Sequence, residues 1–280
     1  MKSFKQLMES GNAVSGISRI EKKYIKPTMD KFYEEFLHRH LKLSKNGVIP
    51  LGSVGKKDAS GDLDLGIDIL EIANKNNLSF DKKDIISFIS SKLRTAGFIF
   101  KEDFVEMIGL GLVTLRYPIV GNEKEFVQID LMLTNDIKNF GFFRFAPSPE
   151  QSKYSGADRT KLLMSIGKNA GYKELKKEAG EVIEWEQNSM VVDGMDAGLH
   201  LGIIKTNIGK TGKKVKNPIV LSRSGKIIKE PNKIIEEILG KGFSVEDTLS
   251  VETLMSAIQS PRFKHKKMIK KIIDDYQSAR

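Results

Sequence analysis

The stretch that decides the fold covers residues 51–68 and reads LGSVGKKDASGDLDLGID. Its second half predicts a strand over residues 62–70, because apolar residues alternate with acidic ones. Side chains two positions apart in a strand point to the same face, so Asp62 and Asp64 should lie side by side. Two carboxylates this close, flanked by buried leucines, are costly unless a positive group sits between them. A divalent cation with oxygen ligands, such as Mg²⁺, meets that need.

A glycine-serine turn precedes the acidic strand. The short apolar run at residues 48–51 predicts a buried strand, and Gly52 and Ser53 follow it directly. Glycine lets backbone N–H groups approach phosphate oxygens, and the Ser53 hydroxyl adds a hydrogen-bond donor. Lys56 and Lys57 come within reach of the same phosphates. The turn therefore predicts a phosphate-binding loop, with plain surface charge as the alternative for the two lysines.

A third carboxylate, Asp130, lies inside an apolar strand predicted over residues 126–133. The run at 110–117 pairs with it as a hairpin. If the strand of Asp130 neighbours that of Asp62 and Asp64, three carboxylates converge on one point. That ligand set suits two divalent ions at a phosphoryl or nucleotidyl transfer centre. The alternatives are a solvated strand face for the first two acids and an arginine ion pair for Asp130.

The order of these features resembles the DNA polymerase β-like nucleotidyltransferase superfamily, which includes CCA-adding enzymes, poly(A) polymerases and oligoadenylate synthases. The pattern is a strand, Gly52-Ser53, the pair Asp62-x-Asp64 and a later Asp130 in an apolar strand. The resemblance covers about residues 48–133 and implies an α+β fold. In that fold a nucleotidyltransferase-type core with a small mixed β-sheet is flanked by helices.

The resemblance also implies a role for each matching residue. Asp62 and Asp64 would bind two Mg²⁺ ions, for which Mn²⁺ can substitute, and Asp130 would hold the catalytic ion near the acceptor hydroxyl. Residues 152–163 resemble the start of the helix that follows the catalytic strands in several members, where basic and aromatic residues meet the triphosphate or the base. The implied nucleotide-binding residues are Gly52, Ser53, Lys56, Lys57, Lys153, Tyr154, Arg159 and Lys161.

Helical periodicity dominates the rest of the chain. The predicted helices are 17–43, 82–96, 158–179, 232–239, 251–259 and 265–276. A small hairpin is predicted over residues 219–229, around Arg223-Ser224-Gly225. We therefore expect a catalytic domain with an N-terminal helix over residues 1–155. A mainly helical, acceptor-binding domain would follow over residues 156–280.

Composition narrows the functional classes. The chain has 280 residues, and 46 Lys and Arg against 36 Asp and Glu give a net charge of +10, which favours an anionic partner such as nucleic acid. The lack of cysteine excludes disulfides, thiolate zinc sites and cysteine nucleophiles. No apolar run approaches the roughly 20 residues of a membrane span. Residues 1–10 lack the apolar core of a signal peptide, so we expect a cytoplasmic protein.

The leading functional hypothesis is an Mg²⁺-dependent nucleotidyltransferase that moves a nucleoside monophosphate from an NTP to a hydroxyl group and releases pyrophosphate. The acceptor expected from the basic charge is the 3′ end of a tRNA-like RNA. Alternative acceptors are a protein, a small molecule, or a second nucleotide in second-messenger synthesis. A non-catalytic nucleic-acid-binding protein is the alternative from another class. The basic segments 205–216 and 262–271 would contact RNA or remain solvated, and the oligomeric state stays open.

Overall fold

The computed structural model of the chain describes residues 13–98, 103–192 and 196–280, so the prediction for residues 1–10 lies outside the described residues. Two compact units are present. The first ends at Pro149, and the second comprises Glu150–Val192 and Asp196–Arg280. Each unit combines a sheet with helices, which makes the fold α+β. Among the described helices we find none with the length and apolar character of a membrane crossing.

The first unit is built on a mixed sheet. Its strands in chain order are β1 Ile20–Glu21, β2 Val48–Pro50, β3 Ala59–Ser60, β4 Asp62–Asp68, β5 Phe104–Met107, β6 Leu112–Ile119 and β7 Asn122–Thr134. Five of them form one sheet in the order β2-β4-β7-β6-β5, while β1 pairs with β3. Strands β4 and β7 run parallel, and β6 pairs with β7 as an antiparallel hairpin. The hairpin predicted from the sequence is therefore confirmed.

Helices of the first unit pack against this sheet. They are α1 Lys22–Phe32, which continues through a π-helical turn Tyr33–His38 to Arg39–Leu41, then α2 Ile69–Asn76, α3 Lys82–Thr95 and α4 Ile137–Phe143. The first helix begins at Lys22 and not at residue 17 as predicted, because Ile20–Glu21 pairs as a strand with Ala59–Ser60. Asp68 caps the start of helix α2, because its carboxylate accepts hydrogen bonds from the Leu70 and Glu71 amides at 2.8 and 3.2 Å.

The hydrophobic core decides where the acidic side chains go. Leu63 and Leu65 of β4 and Ile129 and Leu131 of β7 are buried in one cluster with apolar residues of α1 and α3. Adjacent side chains of a strand point to opposite faces. The three aspartates that alternate with these residues therefore lie on the other face of the sheet.

The second unit contains a larger sheet than the sequence analysis expected. Its strands are β8 Lys173–Glu178, β9 Glu181–Val191, β10 Gly198–Ile208, β11 Lys214–Arg223 and β12 Ile227–Ile228. Its helices are α5 Gly156–Ala170, α6 Pro231–Ile238, α7 Val251–Gln259 and α8 Ile269–Ala279. The strands pair antiparallel in the order β11-β10-β9-β8, and β12 pairs with β10.

The prediction of a mainly helical C-terminal region is therefore wrong, although its last three helices are confirmed. Helix α5 ends at Gly171, whereas the prediction carried it to residue 179. Strand β8 reads KELKKE and is exposed throughout, and β11 is exposed on both faces, so neither shows the alternation that marks a strand. The hairpin predicted over residues 219–229 is also wrong in its pairing, because β12 pairs with β10 and not with β11.

Candidate metal centre

Three carboxylates meet on the face of the first unit's sheet that lies opposite the leucine-rich core. In the parallel pair β4–β7, Asp64 lies directly opposite Asp130, and Asp62 lies opposite Gln128. Carboxylate oxygens of Asp62, Asp64 and Asp130 all lie within 4.8 Å of one another. The condition set from the sequence, that the two acidic strands be neighbours, is met. Oxygen ligands at this spacing could hold a divalent cation.

Asp130 is held in place by neutral donors. The Thr114 hydroxyl donates to Asp130 Oδ1 at 2.8 Å, and Gln128 Nε2 donates to Oδ1 and Oδ2 at 3.1 and 3.3 Å. The side-chain oxygen of Gln128, Oε1, accepts a hydrogen bond from the Ala13 amide at 3.1 Å. This bond determines that the Nε2 end of the side chain faces Asp130. Within the described part of the chain Asp130 has no ion pair. The alternative of an arginine partner is therefore not what this arrangement shows.

The electrostatics of the cluster favour a bound cation. Burial, followed by the charges of Asp62 and Asp130, raises the pKa of Asp64 to about 8. Burial also raises the pKa of Asp130 to about 6, and it raises that of Asp62. Three carboxylates that are buried this close together must either be protonated or share a bound cation. The residues present therefore fit a divalent metal such as Mg²⁺, which the geometry alone does not identify.

The Gly52 turn packs directly against these carboxylates. Gly52 has a φ of 57°, a left-handed conformation that favours glycine. A Cβ at this position would lie 3.1 Å from Asp64 Oδ2, so a larger residue would require the carboxylate to shift by a few tenths of an ångström. The Gly52 amide donates to the Arg144 carbonyl at 3.0 Å, and the Leu51 amide donates to the Asp64 carbonyl at 2.9 Å. These bonds fasten the turn to the acidic strand.

The donors that a phosphate could use come from Ser53. The Gly52 amide already donates to the Arg144 carbonyl, so it is not available to a phosphate. Gly52 therefore acts as a spacer in the turn and not as the phosphate ligand that the resemblance implied. Over the described residues, neither the Ser53 amide nor its hydroxyl has a hydrogen-bond partner in the protein. The turn thus presents two donors beside the carboxylates, where an anion bridging them to a cation would lie.

The two lysines of the loop differ in their surroundings. Lys56 Nζ donates to the Ala146 carbonyl at 2.5 Å and lies 4.0 Å from the centroid of the Phe145 ring. Lys56 therefore anchors the loop to the segment after α4. Lys57 is exposed, and its charge acts against the raised pKa of Asp62, which places it near the carboxylates. The assignment of Lys57 to phosphate binding stays a prediction.

Residues that the sequence analysis did not single out also take part in the centre: Thr114 and Gln128 hold Asp130, and Arg144 holds the turn. Arg144 supplies the carbonyl that holds Gly52, and its charge opposes the raised pKa of Asp64. Its guanidinium lies 5.7 Å from the centroid of the Phe140 ring. The available signal was a single basic residue inside the aromatic run GFFRFAP, which the sequence analysis left without a role.

The four remaining nucleotide-binding candidates belong to the second unit. Arg159 of α5 is fully buried there, and its Nε donates to the Thr248 carbonyl at 2.6 Å. Burial lowers the pKa of its guanidinium to about 10. These surroundings assign Arg159 a packing role and do not favour contact with a nucleotide.

The other three candidates are accessible. Lys153 is exposed, with its ammonium 5.3 Å from the centroid of the Tyr154 ring. The Arg280 guanidinium also lies 5.3 Å from the centroid of the Tyr154 ring. Lys161 is half-buried on α5, where its charge helps to lower the pKa of Asp158. Their assignment to nucleotide binding stays a prediction.

Comparison with known proteins adds no relative. No family model matches the chain, and no curated protein matches it. The resemblance to nucleotidyltransferases therefore rests on the sequence pattern of Gly52-Ser53, Asp62-x-Asp64 and Asp130, and it stays a prediction.

Proposed function

We propose that this chain is an Mg²⁺-dependent nucleotidyltransferase that moves a nucleoside monophosphate from an NTP to a hydroxyl acceptor and releases pyrophosphate. The observation that carries the proposal is the meeting of Asp62, Asp64 and Asp130 on two parallel strands beside the Gly52 turn. Carboxylates that can hold a cation, next to unpaired hydrogen-bond donors that can hold a phosphate, are the two halves of a site for a metal-bound polyphosphate. An isolated acidic cluster would lack the second half.

The metal is assigned to the three carboxylates. Asp62 and Asp64 would hold both ions, and Asp130 would hold the one nearer the acceptor. When bound, Mg²⁺ supplies positive charge that neutralises the phosphates and lowers the pKa of the acceptor hydroxyl. Mn²⁺, which takes the same oxygen ligands, would substitute for it.

The chain's own groups position the reactants. The Ser53 amide and hydroxyl would bind the phosphates, with Lys57 adding charge from the loop. The acceptor oxygen would form a bond to the α-phosphorus as the bond to the leaving pyrophosphate breaks. Among the described residues, the one hydrogen bond to Asp130 Oδ2 is the longer Gln128 bond at 3.3 Å, so this oxygen would take the hydroxyl proton. Most of the rate then comes from orientation and charge neutralisation.

The acceptor we propose is the 3′ end of an RNA. The net charge of +10 favours a polyanionic acceptor. A protein, a small molecule or a second nucleotide would give different labelled products. Incubation with each of four labelled NTPs, with and without an RNA pool, separates these outcomes by where the label migrates.

The test of catalysis compares two asparagine variants. Asp64→Asn should reduce transfer by orders of magnitude, because one of three carboxylates is lost. Asp58→Asn makes the same chemical change at an exposed position of the adjoining loop and should leave transfer unchanged. Circular dichroism checks that both variants fold. Full transfer by a folded Asp64→Asn protein would refute the proposal.

A further inference from the structure

A cleft of about 290 Å³ lies within the second unit, between helices α5 and α8 and strands β9 to β11. We call it the lysine cleft, because Lys168 of α5, Lys205 of β10 and Lys271 of α8 line it. The aromatic rings of Tyr172 and Trp185 line it as well. None of these residues takes part in the metal centre.

The positive charges of the cleft are only partly balanced by the protein, through Asp275. Lys168 is paired with Asp275 at 2.9 Å, and Asp275 also accepts from Asn169 at 2.8 Å. Lys205 has no hydrogen-bond or ion-pair partner anywhere in the described ranges. Burial lowers the pKa of Lys205, and so do the neighbouring charges of Lys168 and Arg223. Like charges gathered in a half-buried cleft indicate that an anion belongs among them.

The aromatic rings are fixed beside these lysines. Trp185 lies directly opposite Lys205 in the register of β9 and β10. Its indole N–H donates to Gln187 Oε1 at 2.7 Å, which holds the ring in one orientation. The Lys271 ammonium lies 4.6 Å from the centroid of the Tyr172 ring. A positive groove lined by fixed aromatic faces is how proteins bind single-stranded nucleic acids, with phosphates on the cations and bases on the rings.

We propose that the lysine cleft binds one nucleotide of a single-stranded nucleic acid, with its phosphate at Lys205 and Lys271 and its base against Trp185. A cleft of this size takes a single unstacked nucleotide and excludes a duplex. The proposal goes beyond the metal centre, because it concerns binding alone. It holds or fails whether or not the acidic residues are catalytic.

The test uses the fluorescence of Trp185, which is the one tryptophan of the chain. The full chain is titrated with a short oligouridylate in the absence of NTP and divalent metal. We expect a saturable change in tryptophan emission. Lys205→Gln and Lys271→Gln should each weaken binding about tenfold, as expected for one lost charged contact. Each should also reduce the slope of log affinity against log salt concentration by about 0.7.

A matched control lies on the same helix. Lys270 of α8 is exposed and lies outside the cleft, so Lys270→Gln removes the same charge and should leave affinity and emission unchanged. Equal weakening in all three variants would overturn the proposal, as would the absence of a saturable emission change. Equal binding of polyphosphate or polyglutamate would overturn the nucleic-acid assignment. Since no transfer is measured, a failure here is distinguishable from failure of the proposed catalysis.

Discussion

Replacing Asp64 by asparagine is expected to stabilise the metal-free protein. Burial and the charges of Asp62 and Asp130 raise the pKa of Asp64 from 3.8 to about 8. The folded protein therefore binds this proton more tightly than the unfolded chain does. The resulting stability is fully present below pH 3.8 and is lost as the pH rises through the interval up to about 8.

The size of the effect follows from that interval. At pH 7 the free energy of unfolding of the wild-type protein is about 4 kcal/mol lower than below pH 3.8, since each pH unit above the ordinary pKa is worth about 1.4 kcal/mol. Asparagine carries no charge in either state, so Asp64→Asn should gain a few kcal/mol, and at most about 4. In a chain of this size that gain raises Tm by roughly 5–10 °C.

The assay is thermal unfolding in EDTA and in Mg²⁺, followed by circular dichroism. In EDTA the Tm of Asp64→Asn should exceed that of the wild type, while Asp58→Asn should match the wild type. Saturating Mg²⁺ should raise the Tm of the wild type and have much less effect on Asp64→Asn, because a ligand stabilises the state that binds it. An unchanged or lower Tm for Asp64→Asn in EDTA would show that the carboxylates do not repel one another as argued.

Three further substitutions probe the same centre. Gly52→Ala places a Cβ 3.1 Å from Asp64 Oδ2 on a left-handed backbone, so calorimetry should find NTP binding at least about tenfold weaker; wild-type affinity would contradict the packing of the turn. Thr114→Val removes a hydrogen bond that lowers the pKa of Asp130, so NMR of the metal-free protein should show Asp130 titrating at higher pH, and an unchanged titration would exclude that bond. Arg144→Gln removes a charge that opposes the raised pKa of Asp64. The pH dependence of stability in EDTA should then extend to higher pH, and an unaltered profile would remove Arg144 from the centre.

The acidic strands were predictable because their pattern is local. Strict alternation over residues 62–68 requires Asp62 and Asp64 to share a face, and the apolar run around Asp130 requires that acid to be buried or partly buried. The pairing of the two strands joins Asp64 with Asp130, 66 residues apart in sequence, so the sequence could state it only as a condition. The register of β4 and β7 fulfils that condition.

The second unit was less predictable because its strands carry little pattern. Strand β8 is charged at most positions and exposed on both faces, which leaves no alternation for a sequence analysis to find. Arg144 escaped notice for a related reason, since its role comes from the carbonyl it offers Gly52 and not from a motif. The lysine cleft combines residues from two helices and three strands, and no linear spacing connects them.

The pairing of β4 with β7 makes the geometry of the candidate metal centre inseparable from the folding of the first unit. A shift of either strand by one position would turn its aspartates into the apolar interior and its leucines out to water. A single-residue insertion or deletion there would therefore disrupt the fold and the carboxylate cluster together. Replacement of the aspartate side chains would remove the cluster and leave the strands paired, so natural relatives that have lost the centre should keep both strand lengths and differ in the identity of the acids.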